Sequence, residues 1–123
     1  MYKYFSNSTD PKIQCQCGCG LNLNDMDIEF MVRVERAREK AGVPFIINSG
    51  IRCPLHNNRV SNTGFNGPHT TGKALDIATP NSNSRFIIRR ELIKEGFHRF
   101  GSHPSFIHVD DSPDHPPEVE WWY

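Results

Sequence analysis

The chain has 123 residues, with 14 Lys plus Arg against 14 Asp plus Glu and a formal net charge of zero, a length that fits one domain with a modest core. That balance excludes the basic footprint of a nucleic-acid binder and any general attraction to an anionic membrane. No apolar run is long enough to span a bilayer.

Residues 1–20 form a Cys-rich segment without a helical or strand period. Met1 to Asn7 lacks the apolar stretch of a secretory signal. Cys15, Cys17 and Cys19 alternate, and an extended chain puts them on one face. Together with Cys53 they leave three readings open. One is a four-thiolate structural metal site, although Cys-x-Cys-x-Cys is cramped for one tetrahedron. The second is a disulfide from Cys53 to one of the three, in an oxidising compartment. The third is reduced, partly buried thiols.

A helix follows, with Asn24 or Asp25 as N-cap and Asp27 and Glu29 as first-turn acids. Phe30, Val34, Ala37 and Ala41 form its apolar stripe, with Met31 beside it. Gly42 and Pro44 end it. Phe45 to Asn48 reads as a buried strand. Pro54 opens a short helix through Val60, and 61–68 reads as an exposed, glycine-rich loop. Ala74 to Ala78 is a strand. Ser82 or Ser84 caps a second long helix carrying Phe86, Ile87, Ile88, Leu92 and Ile93, closed by Gly96. Phe97 to Phe100 and Phe106 to Asp110 are further strands. The tail Val119 to Tyr123 reads as an edge strand that buries its aromatics. Helices and strands mix without a βαβ repeat, so the fold class is α+β, a small antiparallel sheet with helices packed on it, in one domain spanning 1–123.

Chemistry concentrates at three residues. In the strand 106–110, Phe106, His108 and Asp110 share a face, and Ile107 and Val109 point the other way. In the strand 74–78, Asp76 sits between Leu75 and Ile77, an environment that is costly for an unpaired carboxylate. His69 precedes a turn at Gly72 that can bring it back over Asp76. Two imidazoles and a carboxylate suit a catalytic zinc, which takes three protein ligands and leaves one position open.

The ordered segments Ser49-Gly50-Ile51-Arg52-Cys53-Pro54-x-His56-Asn57, then His69-x-x-Gly72-x-Ala74-x-Asp76-Ile77, then Phe106-Ile107-His108-Val109-Asp110 resemble the zinc D-Ala-D-Ala carboxypeptidase family. The likeness is greatest to its short, phage-type members, which share the Cys-rich opening and the aromatic tail. The resemblance implies the fold shared with Hedgehog domains and one zinc per chain held by His69, Asp76 and His108. It implies hydrolysis of peptidoglycan stem peptides, as a D-Ala-D-Ala carboxypeptidase or a D-amino-acid endopeptidase. It also implies a substrate-binding role for Arg52, whose guanidinium can hold a carboxylate or polarise a carbonyl. The family's usual proton acceptors, a Glu three residues or a His two residues before the last ligand, are replaced here by Ser105 and Phe106. His103 stands at an offset where some relatives carry a catalytic histidine, and Asp110 shares the face of His108. These two are the expected general bases, Asp110 alternatively being a group that orients a ligand histidine. His56, His98 and His115 read as surface or packing residues.

The partner expected is a peptidoglycan peptide, with no nucleic acid and no membrane span, and the chain is expected to be a monomer. It is expected to be made in the cytoplasm and to act in the periplasm or cell wall. The alternatives are a zinc-containing binding module of the same fold without turnover, and a domain organised by its cysteines.

Overall fold

The computed structural model describes residues 2–123. Among these, five strands form one sheet in the order β1-β2-β4-β3-β5, with β1 at Ile47–Ser49, β2 at Ala74–Ala78, β3 at Arg99–His103, β4 at Phe106–Asp110 and β5 at Val119–Trp122. Neighbours are antiparallel except β3 and β5, which run parallel. The helices are α1 (Ile28–Ala41), α2 (Pro54–Val60) and α3 (Ser82–Lys94). The α+β class holds, with a parallel edge on an otherwise antiparallel sheet.

Alternation along the strands divides the sheet into two faces. Leu75 and Ile77 of β2, Ile107 and Val109 of β4 and Phe100 of β3 are buried with Phe30, Met31, Val34 and Ala37 of α1 and Ile88 and Leu92 of α3. Burying each large aliphatic or aromatic side chain contributes about 1.5–3 kcal/mol. This one-sided core therefore fixes which residues the central strands turn to the other face. Those are Asp76 on β2 and Phe106, His108 and Asp110 on β4, with Asp76 directly opposite His108.

Several boundaries differ from the sequence reading, most through a local competitor. Helix α1 begins at Ile28, capped by Asp27, whose Oδ2 accepts from Phe30 N at 2.9 Å. Leu23–Asp25 closes instead as a separate 3-10 turn, through reciprocal bonds between Asn22 and Asp25. Helix α3 is capped by Asn81, whose Oδ1 accepts from Ser84 N at 2.8 Å, rather than by Ser82 or Ser84. Its Phe86 and Ile93 are exposed. Strand β1 starts two residues late, at Ile47, although Ile46 O still accepts from Ala78 N at 2.7 Å. Strand β3 starts at Arg99, because Phe97 turns back onto the end of α3, its N–H donating to Leu92 O. The tail is an edge strand as expected, but Trp122 and Tyr123 are exposed rather than buried.

The N-terminal segment adds Phe5 and Ile13 to the core and runs beside the stretch that follows β1. Ile51 N donates to Ile13 O at 2.9 Å. Gly50 lies so close that a Cβ there would come within 2.6 Å of Ile13 O.

Candidate metal centre

His69 is held in the 3-10 turn Pro68–Thr71, which Gly72 ends in a left-handed conformation (φ 73°) before β2 begins. The turn folds His69 over β2, and Asp76 and His108 rise beside it from adjacent strands. Ligand-type atoms of the three lie within 4.8 Å of one another. Asp76 Oδ1 is 2.9 Å from His108 Nδ1 and 3.4 Å from His69 Nε2. All three residues are buried.

The far side of each imidazole is engaged in a way that fixes its proton. His69 Nδ1 lies 2.7 Å from Gly50 O. A carbonyl only accepts, so Nδ1 carries the hydrogen and Nε2 presents a lone pair toward Asp76. His108 Nε2 lies 2.6 Å from Asp110 Oδ2 and donates to that carboxylate in the same manner. Asp110 is itself fixed, since its Oδ1 accepts from Arg99 Nε at 2.6 Å and from Ser112 N at 3.0 Å. Neutral histidines in these tautomers aim two lone pairs at one carboxylate oxygen, an arrangement that requires a cation between them. Either a proton on His108 Nδ1 or a metal ion supplies it. The donor set, two nitrogens and a carboxylate each backed by a hydrogen-bond partner, fits zinc.

The same charges shift the site's titrations. Burial pushes the Asp76 carboxyl up, but the bond to His108 and the closeness of both imidazoles outweigh it and hold it well below the usual carboxylate range. For His108, burial favours the neutral ring, but bonds to Asp110 and Asp76 prevail and raise its pKa. Asp110 is lowered because its bonds to His108 and Arg99 outweigh desolvation.

The triad lies at the base of a cleft of about 550 Å³. Arg52 lies on one wall, its Nη2 3.7 Å from Asp76 Oδ2 and its Nη1 donating to Asn57 Oδ1 at 3.1 Å. Phe106, His115, Trp121 and Tyr123 form other parts of the lining.

The sequence model of the family described as Peptidase M15 matches residues 6–110. The chain belongs to this family. Its members are zinc D-Ala-D-Ala carboxypeptidase-like metallopeptidases. No curated protein and no solved structure shows a significant match.

In this M15 chain the residues read as a base do not reach the cleft. Asp110 is 1% exposed and stands behind His108, both of its oxygens committed to hydrogen bonds, and it is absent from the cleft lining. His103 stacks on Phe106 (centroids 4.5 Å apart) and lines a neighbouring hollow with Arg85, Arg89 and Trp122. Its Nδ1 accepts from Ser105 N at 3.1 Å, which occupies the lone pair a base needs. His56 and His98 lie outside the cleft lining, whereas His115, read as a surface or packing residue, lines it.

Four further contributors escaped the sequence reading. Arg99 is buried against Asp110. Asn57 is fully buried and secures the 61–64 loop, donating to Thr63 Oγ1 at 2.8 Å and Gly64 O at 2.6 Å. Trp121 packs on His108 with ring centroids 5.3 Å apart. Gly101, opposite both His108 and Trp121, makes room for that indole, because a Cβ there would overlap the indole nitrogen. The signal for Arg99 and Gly101 was present. A two-residue loop at Pro104-Ser105 pairs His103 with Phe106 and hence Gly101 with His108, which carries the register on to Arg99 beside Asp110.

Proposed function

We propose that this metallopeptidase hydrolyses peptidoglycan stem peptides at a D-amino-acid bond, as a D-Ala-D-Ala carboxypeptidase or a D-amino-acid endopeptidase. We propose His69, Asp76 and His108 as its zinc ligands. The observation that carries this reading is the convergence of His69 Nε2, Asp76 Oδ1 and His108 Nδ1 beneath an open cleft, each imidazole locked in the tautomer that frees its inward nitrogen. His69, Asp76 and His108 would hold the zinc, whose Lewis acidity would acidify a water and polarise a carbonyl.

The chain's own groups do the rest. Arg52 binds the substrate's terminal carboxylate, or a carbonyl as negative charge develops on it. Asp110 and Gly50 hold the two imidazoles in register. Phe106, Trp121 and Tyr123 give the peptide an apolar wall. His115 is the imidazole on the cleft lining outside the triad, with Nδ1 bonded to Ser112 Oγ at 2.7 Å. It replaces His103 and Asp110 as the proposed carrier of the proton from water to the leaving amine. The proposed site of action is the periplasm or cell wall.

The test is incubation of the zinc-loaded protein with purified peptidoglycan, followed by mass analysis of the fragments. Release of D-Ala or opened cross-links, abolished in Asp76→Ala, is the expected result. Intact stem peptides with zinc bound would instead make the chain a zinc-containing binding module without turnover.

A further inference from the structure

The four cysteines lie apart from the triad and play no part in the chemistry above. Cys15, Cys17, Cys19 and Cys53 bring their sulfurs within 4.8 Å of one another, and all four are unbonded thiols. Cys15 Sγ and Cys17 Sγ are 3.5 Å apart, and Cys17 Sγ and Cys53 Sγ 3.6 Å. Four thiolates around zinc, with Zn–S bonds of about 2.3 Å, place neighbouring sulfurs about 3.8 Å apart at the corners of a tetrahedron. The cramped spacing of Cys-x-Cys-x-Cys is relieved by the backbone. The chain turns rather than extends, Gly18 N donating to Cys15 O at 3.4 Å, with Gly18 and Gly20 both left-handed (φ 82° and 97°). The three cysteines therefore curl around Cys53 instead of lining one face.

Backbone donors complete the setting. Cys53 N points at Cys15 Sγ at 3.3 Å, and His56 N at Cys53 Sγ at 3.4 Å. Such N–H groups stabilise metal-bound thiolates. A disulfide would join one pair and leave the other two sulfurs crowded against it, whereas one central ion uses all four.

We propose that Cys15, Cys17, Cys19 and Cys53 form a second, structural zinc site that clamps the N-terminal segment to the Gly50–Pro54 stretch. All four positions are filled by protein, so the site is closed to substrate, and binding releases the thiol protons. The clamp matters to the triad because the segment it fixes carries Gly50, whose carbonyl holds the His69 tautomer, and Arg52, whose N–H donates to His69 O at 3.0 Å.

The experiment uses the full chain, purified under reducing conditions. Wild type should carry about two zinc ions per chain, one from each donor set. Titration with a mercurial thiol reagent should release one of them into a chromophoric chelator, while the other stays bound. Cobalt substitution should give an intense thiolate-to-cobalt charge-transfer band that persists in His69→Ala and is lost in Cys17→Ser and Cys53→Ser. The wild-type titration and spectrum stand even where a serine variant does not fold. A thiolate band without catalytic-site metal would confirm the clamp and reject the triad. Wild-type protein with no thiolate–cobalt band and no mercurial-released zinc, or with Cys53 in a disulfide on mass analysis after alkylation, would overturn the proposal.

Discussion

Replacing Asp110 by Asn tests whether the charge behind His108 governs metal binding. Arg99 Nε and Ser112 N both donate to Oδ1, so the amide must keep its oxygen there. Its NH₂ then takes the place of Oδ2, 2.6 Å from His108 Nε2. Nε2 has to become the acceptor, which moves the ring proton to Nδ1, 2.9 Å from Asp76 Oδ1. The proton now occupies the nitrogen that the metal requires. Loss of an orienting partner of this kind costs about 10–100-fold in metal affinity, or about 1.4–2.7 kcal/mol, and the forced tautomer puts Asp110→Asn at the upper end. Arg99 also loses its buried counter-charge, a change worth about 3–5 kcal/mol of stability in a domain whose total is about 5–15 kcal/mol. The assay is zinc competition against a chromophoric chelator at low temperature, with near-ultraviolet circular dichroism to show that the variant is folded. A folded Asp110→Asn that binds zinc at the triad within about twofold of wild type, a difference of about 0.4 kcal/mol, would refute the reasoning.

Three more predictions follow from the same geometry. Gly101→Ala should expel Trp121 from beside His108, destabilising by about 1–3 kcal/mol, with a red-shifted tryptophan emission and reduced hydrolysis; unchanged emission would contradict the packing. Arg52→Ala should raise KM for peptides ending in a free carboxylate by about tenfold or more, with Arg52→Lys giving only partial rescue because the bidentate fork is lost; equal KM for free and amidated termini in wild type would remove that role. Without metal, the raised pKa of His108 contributes stability that is complete below about pH 6.5 and is lost as pH rises through the folded value. Bound zinc displaces that proton, so the zinc-induced rise in Tm should grow with pH, reaching roughly 10 °C when zinc is about 100-fold above its Kd. Melts with and without chelator, for wild type and His108→Gln, check the sign; a zinc increment that shrinks as pH rises would contradict it.

What the sequence revealed was the part written in short-range pattern. Strands 74–78 and 106–110 and the helix Pro54–Val60 were legible to the residue, because alternation and a proline at the first helical position are local signals. The long helices were legible in their apolar stripes but not at their starts, since Asp27 and Asn81 outcompeted neighbours that cap equally well. The aromatic tail misled. A run ending Trp121-Trp122-Tyr123 suggests burial, yet pairing with β3 turns Trp121 toward His108 and leaves Trp122 in solvent. Where Asp110, His103 and His115 stand relative to the cleft was not legible, because it depends on which side of His108 each group lies. That is a property of strand register and loop path, not of residue type.

The most direct measurement is anomalous diffraction from zinc-loaded crystals, collected on either side of the zinc absorption edge. The account predicts a zinc peak bonded to His69 Nε2, an Asp76 carboxylate oxygen and His108 Nδ1, with Zn–N and Zn–O distances of about 2.0–2.2 Å. Zinc-loaded crystals with no anomalous density between those three residues would contradict it.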